Sequence, residues 1–385
     1  MQRRVTPEPA ELPRAAGIGI ELLRWSAKRN RLTAEAAKQL LQRARPSLEW
    51  LRERRIDSLL FLAARHNAPA QRLYDKVWRA QRVALLQTLR HLISEGVHIM
   101  VCKGAELNAR FYGERGLHAA CDVDLLVPTA QLGTAHRVLY ATGYGQGLID
   151  VARARIADVS PLEVSRLEAR HYELFPFRRL LPLDLDADER QFIDRLRVTQ
   201  RAQMRKDQAH RRRWPRVPPP YRNPPPPVWL TDDGRYLLTM EIDLHHGVSI
   251  EFKSDSFFKR AIPSALGCGW TLGLADHLWF LTNRLYHEVG LGTTNSLRTF
   301  ALLAPLVQCP NIDWDIVLGA ATELDIRPGL FYYLTFLDRL VGGAVPPTVL
   351  AQLSVRHGGE RRDWGWQLGR LFGRANADPI GLPLS

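Results

Sequence analysis

The stretch Ala120-Cys-Asp-Val-Asp-Leu-Leu-Val127 places two carboxylates, Asp122 and Asp124, two residues apart inside an apolar run. The run is short and rich in Val and Leu, as expected of a largely buried strand. Side chains alternate across a strand, so positions 122 and 124 share one face, where like charges repel. Such a pair beside apolar neighbours is unfavourable unless a cation sits between the two groups. Oxygen ligands on a rigid strand are what Mg²⁺ prefers, completed by waters and substrate phosphates. A nucleotide–metal site is therefore the first hypothesis; the alternative is an edge strand whose two aspartates are merely solvated.

Working outward, VHIMV (97–101) is a second short, β-branched run and reads as a central strand. It leads into Lys103-Gly104-Ala105, a small-residue turn that opens the helix KGAELNARFYG, where free backbone N–H groups and the helix dipole favour a phosphate. After VDLLVP, the segment TAQLGTAHRVLYATGY predicts a helix with Thr129 as N-cap and Gly143 near its C-terminal end. This strand–helix–strand–helix order begins an α/β domain. HYELFPFRRLLPLDLD predicts one or two strands, and RYLLTMEIDLHHGVSIEF returns the chain to the sheet with a further acidic group. Apolar residues at three- and four-residue spacing predict helices over 16–95 and again from about 271. The expected organisation is a helical region at 1–95, a core at 96–255 and a helical region at 256–385.

The chain has 385 residues, 45% of them hydrophobic, enough for a large core divided between lobes. No apolar run approaches the roughly 18 to 20 residues of a spanning helix, and the first residues lack a signal-peptide core. The expected location is cytoplasmic, with no membrane partner. Cys102, Cys121, Cys268 and Cys309 lie far apart with no CxxC pair, which argues against a zinc site or a disulfide framework. The net charge of +13 is local: residues 190–222 hold eleven Arg/Lys against two Asp, a net of +9. That stretch predicts a basic helix followed by a polyproline-type linker, WPRVPPPYRNPPPPV, within an insertion at about 190–228. Its arginines, with Trp214 and Tyr221, suit RNA or an acidic partner, although a proline-rich solvated insertion needs no ligand.

Lys103-Gly104, a helix, the Asp122-x-Asp124 strand, HYELFPF, and the later EIDLHHG together resemble the uncharacterised nucleotidyltransferase family of the polymerase-β superfamily, over roughly 55–345. The resemblance implies an α+β (mixed α/β) polymerase-β-like core with a mixed sheet, flanked by helical regions. It implies Mg²⁺-dependent transfer of a nucleoside monophosphate from an NTP to a hydroxyl-type acceptor, with two ions held by Asp122, Asp124 and a third carboxylate. Asp243 matches that third position, directly before Leu244-His245, and Glu241 is the runner-up on the same strand face. His245 shares that face and is a candidate to orient the acceptor or a carboxylate. Lys103, Gly104 and Ala105 are the nucleotide-binding candidates, joined by His118, which stands where family members commonly carry an arginine. Two rivals use the same scaffold: an accessory protein that binds a peptide, protein or RNA without turnover, and transfer of the γ-phosphate.

Overall fold

A computed structural model of the protein describes residues 11–119, 122–150, 153–168, 173–198, 227–247, 255–354 and 363–373. The chain divides into two compact units, one built on residues 69–198 and 227–273, the other on 11–68 and 274–373.

The first unit is built on a mixed sheet. Its strands are β1 (Met100–Cys102), β2 (Asp122–Leu126), β5 (Phe177–Pro182), β6 (Val228–Leu230), β7 (Tyr236–His245), β8 (Ile262–Pro263) and β9 (Trp270–Thr271); β3 (Gly147–Asp150) and β4 (Arg155–Asp158) form a separate hairpin. The order is β5-β7-β2-β1-β9-β8, with β6 also on β7. β2 runs parallel to β7 and antiparallel to β1, although a helix joins β1 to β2. The described chain after that helix, residues 113–119, belongs to no helix or strand.

Alternation fixes which face is core. Val123, Leu125, Met240, Ile242, Leu244 and Phe177 point to one side and are at most 3% exposed. They pack against Trp78, Leu85, Leu89 and Leu92 of the helix Pro69–Ser94 and against Ala135, Val138 and Leu139 of the helix Leu132–Ala141. Each fully buried leucine there contributes roughly 2 kcal/mol. The opposite face is left for the charged residues of β2 and β7.

Three local expectations are corrected. The helix Pro69–Ser94 packs on the sheet, so the helical segment before residue 96 is shared between the two units. β8 and β9 lie where only helices were expected, because two-residue strands carry no period to detect. Thr129 caps nothing with its side chain; a 3₁₀ turn at Thr129–Gln131 precedes the helix, whose preceding residue is Gln131. The segment 173–182 supplies one strand and an isolated bridge, Glu173 to His245. Residues 199–226, which hold Trp214, Tyr221 and most of the Arg/Pro-rich stretch, lie outside the described residues.

The start of that insertion is anchored. Asp186 and Glu189 cap the helix at 187–198 reciprocally: the Glu189 N–H donates to Asp186 at 3.0 Å and the Asp186 N–H to Glu189 at 2.8 Å. The Glu189 carboxylate is fully buried and accepts from Lys76 Nζ at 2.7 Å, with Arg72 at 3.5 Å. Removing one partner of a buried pair strands the other charge. Lys76→Met is expected to lower stability by about 2 kcal/mol, Arg72 and the partial exposure of Lys76 softening the loss, as urea unfolding will show.

The second unit is helical. Glu11–Lys28 and Asp57–Ala63 belong with Leu274–Gly290, Arg298–Val307, Trp314–Glu323 and Arg327–Val341. Phe300, Tyr333, Phe336 and Phe372 meet ring to ring at its centre. No described helix is long and apolar enough to cross a membrane.

Candidate metal centre

The register of β2 and β7 sets the charged residues side by side. Asp122 is opposite Glu241, Asp124 opposite Asp243, and Leu126 opposite His245. Parallel partners share a face, so the period-2 spacing 122/124 and 241/243/245 collects four carboxylates and an imidazole on one surface. β5 adds Arg178 opposite Glu241, and β1 adds Cys102 opposite Asp124.

Asp124 is at the centre. Its Oδ1 accepts a hydrogen bond from Lys103 Nζ and lies 3.0 Å from His245 Nε2. Lys103 is buried and holds φ at 55°, in the left-handed region that non-glycine residues rarely occupy. That backbone state carries the chain from β1 straight into the helix Lys103–Tyr112 and tucks the ammonium into the sheet face. Asp243 is different: its Oδ1 is buried and has no hydrogen-bond partner among the described residues. Burial, then the charges of Asp124, Asp122, Glu173 and Glu241, push its carboxyl up to about 9. Asp124, Asp243 and His245 each offer a ligand atom within 4.8 Å of the others. A buried, unpartnered carboxylate oxygen converging with a second carboxylate and an imidazole fits a divalent cation.

Beside this cluster Glu241 is paired with Arg178. Arg178 Nε donates to Glu241 at 2.5 Å and its Nη1 to the Gly147 carbonyl at 2.7 Å. Burial raises the Glu241 carboxyl, Arg178 opposes that, and Asp122 and Glu173 add to it. Asp122 is exposed at the first position of β2, across from Glu241 and outside the three-residue cluster.

The nucleotide-binding candidates are placed as follows. Lys103 faces Asp124; Gly104 is half-buried in the first helical turn; Ala105 is buried in the apolar core. His118 packs against Tyr74 with the rings tilted, centroids 4.9 Å apart, in a loop held at several described points. Trp78 Nε1 donates to the Gly113 carbonyl, Asn108 to that of Arg115, and Gln71 to that of Gly116, whose own N–H donates to Asp75. Gly116 is required there, since a Cβ would lie 2.2 Å from the Tyr74 carbonyl oxygen. Gly116→Ala is expected to cost more than about 2 kcal/mol and to lower cation affinity by shifting the start of β2, measurable by chemical unfolding and calorimetric titration.

Arg178 and Glu173 were not singled out from sequence. The alternation of Phe177-Arg-Arg-Leu-Leu marks Arg178 as opposite in face to the apolar Phe177, but the identity of the strand across from it is a long-range fact.

No curated protein and no solved structure matches the chain. Residues 65–342, more than half of the chain, match the model of the family described as uncharacterised nucleotidyltransferase. With its mixed sheet, flanking helices and acidic cluster at β2 and β7, the chain belongs to the uncharacterised nucleotidyltransferase family.

Proposed function

We propose that the protein transfers a nucleoside monophosphate from an NTP to a hydroxyl-type acceptor in a divalent-metal-dependent reaction. The observation that carries this is the unpartnered, buried Asp243 oxygen converging with Asp124 and His245. Asp124 and Asp243 would hold the ion, with Asp122 extending the set at the open end of the strand for a second one. A divalent ion held there would supply charge neutralisation on phosphate oxygens and acidify the acceptor hydroxyl.

The chain's own groups would do the rest. Lys103 and the first helical turn at Gly104 and Ala105 would offer positive potential to the triphosphate. The Arg178–Glu241 pair keeps Glu241 compensated beside Asp122. The apolar side of β2 and β7 holds the carboxylates in fixed register, so little reorganisation is needed as charge develops on the transferring phosphoryl group. The new bond joins the acceptor oxygen to the α-phosphorus, and the bond to pyrophosphate breaks. The basic stretch at 190–222 would offer arginines to an RNA or acidic partner.

The test uses α- and γ-labelled NTPs with hydroxyl acceptors and divalent ions. Label moving from the α position supports the proposal. Label moving from the γ position, or metal-independent NTP binding without transfer, contradicts it.

A further inference from the structure

We propose that His245 is itself a metal ligand through Nε2, and that this makes the site select a first-row transition ion such as Mn²⁺ or Co²⁺ over Mg²⁺. The inference rests on the metal-dependent reading given above and concerns which ion the centre takes.

Three observations lead to it. His245 is 5% exposed, and its Nε2 and the Asp124 Oδ1 are 3.0 Å apart on adjacent strands. Adjacent ligands of an octahedral ion with bonds of about 2.1 Å are themselves about 3 Å apart, so these two atoms already have the spacing of neighbours in one coordination shell. Asp243 supplies a third atom within 4.8 Å of both. On the other edge of the imidazole, Nδ1 lies 3.9 Å from a Glu173 carboxylate oxygen, and Glu173 is held there by its backbone bridge to His245. With an ion bound at Nε2 the ring proton would sit on Nδ1, on the side of that carboxylate, as in sites where an outer carboxylate orients a metal-bound histidine.

The donor set follows: one buried imidazole nitrogen and two carboxylates. Mg²⁺ suits oxygen ligands and water, whereas an imidazole nitrogen favours the later first-row divalent ions, with affinity rising from Mn²⁺ to Co²⁺. An all-oxygen site on the same strands would show a weaker preference. Position 245 therefore acts as a selectivity residue for the ion, and Glu173 as a positioning residue behind it.

The experiment binds Mn²⁺ to the full chain, competes it with Mg²⁺, and follows bound Mn²⁺ by electron paramagnetic resonance, with pulsed detection of ¹⁴N coupling. The wild type should show ¹⁴N coupling and prefer Mn²⁺. His245→Asn and His245→Gln should remove the coupling and reduce the Mn²⁺/Mg²⁺ preference by about tenfold or more, while Mg²⁺ still binds and circular dichroism is unchanged. Glu173→Gln should keep the coupling and weaken Mn²⁺ binding by about tenfold. Absence of ¹⁴N coupling in the wild type, or an unchanged preference in both His245 variants, overturns the inference; if Asp124-dependent Mn²⁺ binding persists in that case, the proposed function stands. If the wild type binds neither ion, both fall.

Discussion

Asp124→Asn and Asp243→Asn will each abolish high-affinity divalent-ion binding and lower nucleotidyl transfer by about three orders of magnitude, leaving the fold intact. The size follows from the work assigned to the ion: a loss of ~4 kcal/mol of charge stabilisation at the phosphoryl group corresponds to roughly a thousandfold in rate. The fold survives because both side chains project from the polar side of the sheet, while Val123, Leu125, Ile242 and Leu244 carry the packing on the other. The two variants should differ when the ion is absent. Asp124 has compensating partners in Lys103 and His245, so its amide leaves an ammonium beside a weaker acceptor. Asp243 has no partner for its buried oxygen and stays protonated up to about 9, so its amide breaks no ion pair, and the ion-free Asp243→Asn protein should be the more stable of the two. Calorimetric titration, initial rates and thermal melts check the three parts.

The stability of the ion-free protein will fall as pH rises between about 4 and about 9. Asp243 has a folded-state value pushed up to about 9, while an aspartate in the unfolded chain titrates near ~3.9. A raised carboxyl means that the folded state binds more protons than the unfolded one across that window. Its contribution is complete below the lower value and is lost as pH climbs through the upper one. The slope from one such group is at most about 1.4 kcal/mol per pH unit. A divalent ion displaces the proton, so its affinity should increase with pH through the same window and the loss of stability should be cancelled. Melting profiles of chelator-treated protein, with and without added ion, read this directly, and Asp243→Asn should flatten the ion-free profile. A flat wild-type profile would mean that the carboxyl is not held in its neutral form.

Much of the centre was legible in sequence because it lies on strands with a clear alternation. Asp122 and Asp124 flank Val123, and Glu241, Asp243 and His245 flank Ile242 and Leu244, so one face reads apolar and the other charged. What the alternation cannot supply is register. That Asp124 lies opposite Asp243, and Asp122 opposite Glu241, depends on parallel pairing across more than a hundred residues. The same limit hid Arg178, an ordinary strand arginine until β5 is set beside β7. It also hid Glu173, whose approach to His245 comes from one bridge outside any regular strand. Lys103 was noticed as a charge beside a phosphate-binding turn; that its left-handed backbone places it against Asp124 was not readable. The helix Pro69–Ser94 was recognised as helix, but which unit it packs on was fixed by Leu85, Leu89 and Leu92 meeting the sheet.

The most direct measurement follows the two phosphorus positions of one substrate. The protein is incubated with α-labelled and, separately, γ-labelled NTP, a divalent ion and a panel of small-molecule, peptide and RNA hydroxyl acceptors, beside Asp124→Asn. The expected result is acceptor labelling from the α position alone, with equimolar pyrophosphate release and no labelling by the variant. Labelling from the γ position, or α labelling that Asp124→Asn leaves unchanged, would contradict it.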